Sequence, residues 1–105
     1  MAVTSKKLFR GAATTTLTTN LYTVPASTTT VITSLVVTNT AAAAGTFTIS
    51  IGTAGSETAL FDAVAIAADT TVVIDLKQVL VATEVIDGGA SAITINFHIS
   101  GVEIA

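Results

Sequence analysis

The chain has no cysteine and no tryptophan, one proline, one histidine and four basic residues among 105. Without cysteine there are no disulfides, thiolate metal sites or thiol nucleophiles, and stability rests on packing and hydrogen bonding. Four Lys and Arg against seven Asp and Glu give a net charge of −3, which leaves no cationic footprint for a nucleic acid. Long apolar runs are also missing. Stretches such as Ala63 to Ala68 and Val79 to Ala82 fall far short of the roughly 18 to 20 residues that cross a bilayer, so no membrane partner is expected. Only Leu8 and Phe9 stand between Lys7 and Arg10, too little for the apolar region of a secretory signal, and synthesis in a cytoplasm is expected. Disorder is excluded as well, because 50% of residues are hydrophobic and 10% charged, the reverse of a chain that fails to collapse.

What is present is threonine and alanine, 21 and 18 residues, with 12 valines and 10 isoleucines as the bulky apolar set. This is a β composition on a chain of one-domain size. With five aromatics the core is built from thin aliphatic side chains, which gives an isolated monomer a modest margin and favours association.

Alternation predicts strands almost throughout. TFTISI puts Phe47, Ile49 and Ile51 on one face, and Ala92 to Ser100 puts Ile93, Ile95, Phe97 and Ile99 on one face. Gly101 then breaks the parity, and a bulge there would return Val102 and Ile104 to the core and leave Glu103 in solvent. Thr14 to Val24 and Thr30 to Thr40 read as a hairpin closed around VPAST, where Pro25 forces a turn. Its second segment carries Val31, Leu35 and Val37 on one face and Ile32 and Val36 on the other. Such a strand needs a second cover, either a loop of its own chain or a neighbouring subunit.

AAAAG at Ala41 to Gly45 and GTAGSE at Gly52 to Glu57 read as loops. Thr58 to Ala67 and Thr70 to Leu76 read as strands, and Leu76 to Ala82 leaves room for one helical turn. Thr83 to Asp87 is a short strand that Gly88-Gly89 closes as a turn. The expected core adds Val72 and Ile74. The fold expected is all-β, an antiparallel β-sandwich or jelly roll of about seven to eight strands, with residues 1–13 as an N-terminal arm or edge strand and residues 14–105 as the sandwich domain.

Catalytic chemistry is hard to place on these residues. His98 lies on the polar face of the last strand with no serine and carboxylate arranged around it. Asp62, Asp69, Asp75, Glu84 and Asp87 are scattered singly rather than spaced as calcium ligands, and Gly52 and Gly55 lack the lysine of a phosphate loop. No catalytic residue, metal or cofactor is expected. Lys6, Lys7 and Arg10 form the one basic cluster, either a solvated segment or a contact for an acidic partner.

The run LYTVPASTTTVITSLVVTNT from Leu21 to Thr40, the TFTISI that follows, IAADTTVVIDL from Ile66 to Leu76 and the ending NFHISGVEI from Asn96 to Ile104 together resemble small virion proteins of tailed bacteriophages. The resemblance covers most of the chain. It implies a β-sandwich structural protein of the virion, assembled in the host cytoplasm. As a capsid decoration or cement protein it would bind the major capsid protein or another virion protein and bridge capsid subunits. The alternative that the resemblance implies is a tail, neck or collar fibre module involved in host attachment.

Threonine-rich strands with few charges leave edges open to further pairing, which a closed oligomer would satisfy, a trimer first. The first residues are expected to reach toward the shell or a neighbour. Candidate interface residues are Lys6, Lys7, Leu8, Phe9, Arg10, Ile32 and Val36, with Leu8 and Phe9 as apolar anchors.

Overall fold

The structure is a computed structural model that describes residues 2–105. Met1 of the expected N-terminal arm lies outside the described residues. The strands are β1 Val3–Ala12, β2 Asn20–Thr23, β3 Thr29–Asn39, β4 Gly45–Gly52, β5 Thr58–Ile66, β6 Thr70–Leu80, β7 Val85–Ala90 and β8 Ile95–Ile104, and no helix occurs among the described residues. Two antiparallel four-stranded sheets form, ordered β1-β8-β3-β6 and β2-β7-β4-β5.

One regularity explains that order. Val3 faces Ile104, Asn20 faces Asp87, Thr30 faces Leu80 and Gly45 faces Ile66. The chain is thus one long antiparallel ladder reflected about the loop between β4 and β5, where Gly55 takes a φ of 85°. Wrapping that ladder sends alternate strand pairs to opposite layers, which is the jelly-roll winding. The layers close on Leu35, Val37, Phe47, Ile49, Ile86, Ile95, Phe97 and Ile99, all buried. Phe47 packs edge-on against Phe97 at 6.2 Å between ring centroids, a favoured aromatic geometry. A void beside Leu35, Ile49, Leu60 and Leu76 is about 10 Å³, room for no more than a water.

Several local expectations are corrected. The segments flanking VPAST do not form a hairpin: β2 pairs with β7 and β3 with β8 and β6, so the turn at Pro25 carries the chain between layers. Gly88-Gly89 is no turn but the middle of β7. A Cβ on Gly88 would lie 2.6 Å from Thr48 O, and one on Gly89 would lie 2.4 Å from Thr16 O; the glycines are there for close backbone approach, not for bending. The turn falls at Ser91–Thr94, which leaves Ile93 68% exposed instead of in the core. Leu76 to Leu80 continues β6 as strand.

The bulge expected at Gly101 lies in its neighbours. From Gly101 to Ile99 β8 advances two residues, while β1 takes three from Lys6 to Phe9 and β3 three from Ile32 to Leu35. On the far side of β3, β6 takes four from Gln78 to Ile74. The sheet splays along this line, with Gly101 as the fixed point, where an added Cβ would lie 2.2 Å from Val31 O. Because β8 keeps its parity, Glu103 turns inward, not to solvent. The bulge in β3 also resolves its two-sided pattern: Ile32, Leu35 and Val37 all face the core, and Val36 faces out.

Candidate interaction surface

The two sheets present different outer faces. Every residue of β7 is buried because the chain folds back over its own β2-β7-β4-β5 sheet. The segment Thr14–Thr19 runs beside β7, accepting from Gly88 N at Thr19 O (2.9 Å) and from Ala90 N at Thr14 O (2.9 Å). Threonine hydroxyls hold it closed: Thr14 Oγ1 donates to Thr16 O (3.1 Å) and Thr19 Oγ1 to the same carbonyl (2.9 Å). Thr48, outward on β4 yet buried, accepts at Oγ1 from Ala63 N (3.0 Å), where β5 bulges over it. Asp87 is 8% exposed and accepts from Asn20 Nδ2 at 3.2 Å. Burial and the neighbouring Glu57 hold the Asp87 carboxyl above its ordinary range, and the hydrogen bond from Asp87 holds Glu57 below its own.

Among the described residues the outer face of β1-β8-β3-β6 has no such cover. Val3 and Val73 are each 67% exposed and Val79 is 62% exposed. Register builds the face row by row. Ser5, Val102, Val31 and Val79 form one row; Lys7, Ser100, Ser34 and Asp75 form the next across the splay; Arg10, His98, Val36 and Val73 form the third. Two open concavities that share Thr33 lie along the splay. Lys6, Lys7, Arg10 and Ser100 border one of them, and Asp75 and Lys77 border the other. Extra residues in β3 and β6 interrupt the ladder there, and the two concavities lie along that interruption.

All four basic residues of the chain therefore border one face. Among the described residues one ion pair forms, Lys6 Nζ to Glu103 Oε2 at 3.2 Å, so Lys7, Arg10 and Lys77 make no ion pair with a described carboxylate.

Glu103 also joins the sheets. Tyr22 of β2 donates its hydroxyl to Glu103 and accepts from Thr30 Oγ1 at 2.9 Å, since a phenol has one proton to give. Burial, then the Glu103 carboxylate, pushes Tyr22 up to about 12. The Tyr22 hydrogen bond, with help from Lys6, pulls Glu103 down. A phenol held neutral against a carboxylate held charged is a latch between layers, and its hydroxyl is a poor nucleophile or base at neutral pH.

Of the residues expected at an interface, the structure brings Lys6, Lys7, Arg10 and Val36 to this face or its β1 edge. It takes Leu8 and Ile32 into the chain's own core, at 6% and 2% exposure. Leu8 fills the space beside Gly101, its Cδ1 3.0 Å from where a Cβ would stand, and is not free to anchor a partner, while Phe9 packs half-buried against the same core. Lys77, Thr33, Val31, Val79 and Val102 were not expected here, because the splay that gathers them leaves no periodic mark in the sequence. The edges are also better guarded than composition implied, with three cations on β1 and Lys77 on β6.

His98 stands in register with Arg10 and Val36, hydrogen-bonded to no serine or carboxylate among the described residues. No group of three or more His, Asp or Glu among them is placed to hold a metal. Comparison with family models, curated proteins and solved structures finds no match to this chain.

Proposed function

We propose that this chain is a non-enzymatic structural protein of a bacteriophage virion, a capsid decoration protein that seats on the outer shell and stabilises it by bridging capsid subunits. The observation that carries the reading is an asymmetry between the sheets: in one the inner strand β7 is covered by its own chain, and the other offers exposed valines on its edge strands and cations that make no ion pair. Exposed aliphatic patches of this kind mark protein contacts. The resemblance of Leu21 to Thr40 and Asn96 to Ile104 to virion proteins supplies the class of partner, the major capsid protein or another virion protein. A homotrimer fits a shell with threefold positions. Stabilisation follows from mass action, because a protein that binds only the assembled shell shifts the assembly equilibrium toward it.

Immunogold labelling of intact particles with an antibody against this chain tests the reading. Label over the whole head is the expected result. Label confined to a vertex, a tail or fibres moves the chain to an attachment module, and particles without label overturn the virion assignment.

A further inference from the structure

The face that the proposed function uses has a chemical bias that specifies what it receives. Side chains pointing out from β1-β8-β3-β6 include Lys7, Arg10 and Lys77 as cations and Asp75 as the single carboxylate. Two positive charges therefore remain on one face of a chain whose net charge is −3. The cations stand at the two edges, Lys7 and Arg10 on β1 and Lys77 on β6, with the hydroxyls of Ser100, Thr33 and Ser34 between them. Valines flank this polar strip on both sides, Val31, Val79 and Val102 on one and Val36 and Val73 on the other.

We infer that the splayed strip receives an acidic segment of a partner protein, lying across the strands with carboxylates over Lys7 and Arg10 at one edge and over Lys77 at the other. Straight across from Lys7 the β6 residue in register is Asp75, and Lys77 lies two residues beyond it, so the segment crosses three strand spacings on a slant, about 16 Å, within reach of acidic side chains four residues apart on an extended chain. Side chains two and four residues apart share a face, so the fitting pattern is an acidic residue, a small or hydroxyl residue two positions on, and a second acidic residue two beyond that. Aliphatic side chains beside this segment would meet the valines. The inference rests on this face being the docking face and is independent of whether the partner belongs to a virion.

A plainer role for Lys6, Lys7 and Arg10 is to keep β1 from pairing with another sheet edge. Charge of either sign does that. Only positive charge attracts a carboxylate, so reversing the sign separates the two roles.

The test uses the full chain, labelled for amide NMR, titrated to millimolar concentration with the blocked pentapeptide Glu-Thr-Ser-Thr-Glu and in parallel with Lys-Thr-Ser-Thr-Lys. The acidic peptide should shift amides around Lys7, Arg10, Thr33, Ser100 and Lys77, weaken as salt is raised, and outbind the basic peptide. Lys7→Glu with Arg10→Glu should lower its affinity roughly fivefold or more, and Lys7→Gln with Arg10→Gln should fall between, with thermal midpoints unchanged because these side chains are exposed. Absence of shifts, shifts elsewhere, or equal binding of the two peptides overturns the inference. Tighter binding of a DNA oligonucleotide at the same amides reassigns the face to phosphate. Self-association of the free chain that the charge reversal abolishes reassigns it to a second copy. Either result overturns the inference, and both leave the particle-labelling result standing.

Discussion

β7 and β8 occupy equivalent inner positions in the two sheets, yet β7 is buried at all six residues while β8 alternates from Ile95 to Ser100. The difference comes from what lies above them. Over β7 the chain placed threonine hydroxyls and a looped backbone that Gly89 admits; over β8 the described residues place no such segment. A sheet whose outer face is filled by its own chain has little left to offer a partner. The other sheet keeps exposed valines on its edge strands and cations that make no ion pair among the described residues, and the proposed docking role rests on that asymmetry.

The contrast gives opposite expectations for neighbouring residues. On β8, Phe97→Ser should cost about 3 to 5 kcal/mol, because the ring fills the centre of the core. His98→Ser, one residue on and facing out, should stay within about 0.5 kcal/mol. On β7 no such alternation should appear. Gly89→Val faces outward, yet its Cβ would stand against the carbonyls of Thr16 and Thr14 at 2.4 and 2.8 Å. Both contacts are backbone, so the Thr14–Thr19 roof must lift, at about 3 kcal/mol. Urea denaturation measures all three, and faster amide exchange at Ala90, whose acceptor is Thr14 O, would identify the lifted roof. A Gly89→Val protein as stable as its parent would mean that the roof is loosely held.

The latch between layers should matter less. Tyr22→Phe removes the donor to Glu103 and the acceptor of Thr30 and should cost about 1 to 2 kcal/mol. Glu103 is held below its ordinary value of 4.5, so the folded state binds its proton less readily than the unfolded chain. Its contribution is full above that ordinary value and is lost as pH falls through the depressed one. Urea midpoints compared at about pH 7 and about pH 3 should therefore drop less in Glu103→Gln than in the parent chain. Equal drops would remove Glu103 from the latch.

The layout of the sandwich was legible because alternation survives wherever one face is buried: Phe47 and Ile49, then Ile95, Phe97 and Ile99, lie where period two puts them. It failed where backbone approaches backbone. Gly88 and Gly89 read as a turn because sequence cannot distinguish a glycine that bends from one that makes room. Gly101 was located as special, but the extra residues went into β1, β3 and β6, and a bulge in a neighbour inverts parity without a local signature. The interface fared in the same way. Lys7 and Arg10 were visible as a cluster, whereas Lys77 joins them only through the pairing of β3 with β6. Leu8 and Ile32 looked available because the bulges that turn them inward were not.

The smallest expected change in stability carries the most information about the bare sheet. Val73 and Val79 rise from outward rows of the β6 edge and contribute little to the folded monomer. Val73→Thr with Val79→Thr keeps shape and β propensity and should alter the urea midpoint by less than about 0.5 kcal/mol. Under the proposed function the same pair should weaken binding of the protein to shells that lack it, because two aliphatic contacts beside the charged strip become hydroxyls that must be desolvated. Unchanged stability with weakened binding is what an unroofed face requires. A stability loss above about 1 kcal/mol that grows with protein concentration would instead mean that the valines are already covered in the free protein by another copy, since only association makes stability depend on concentration.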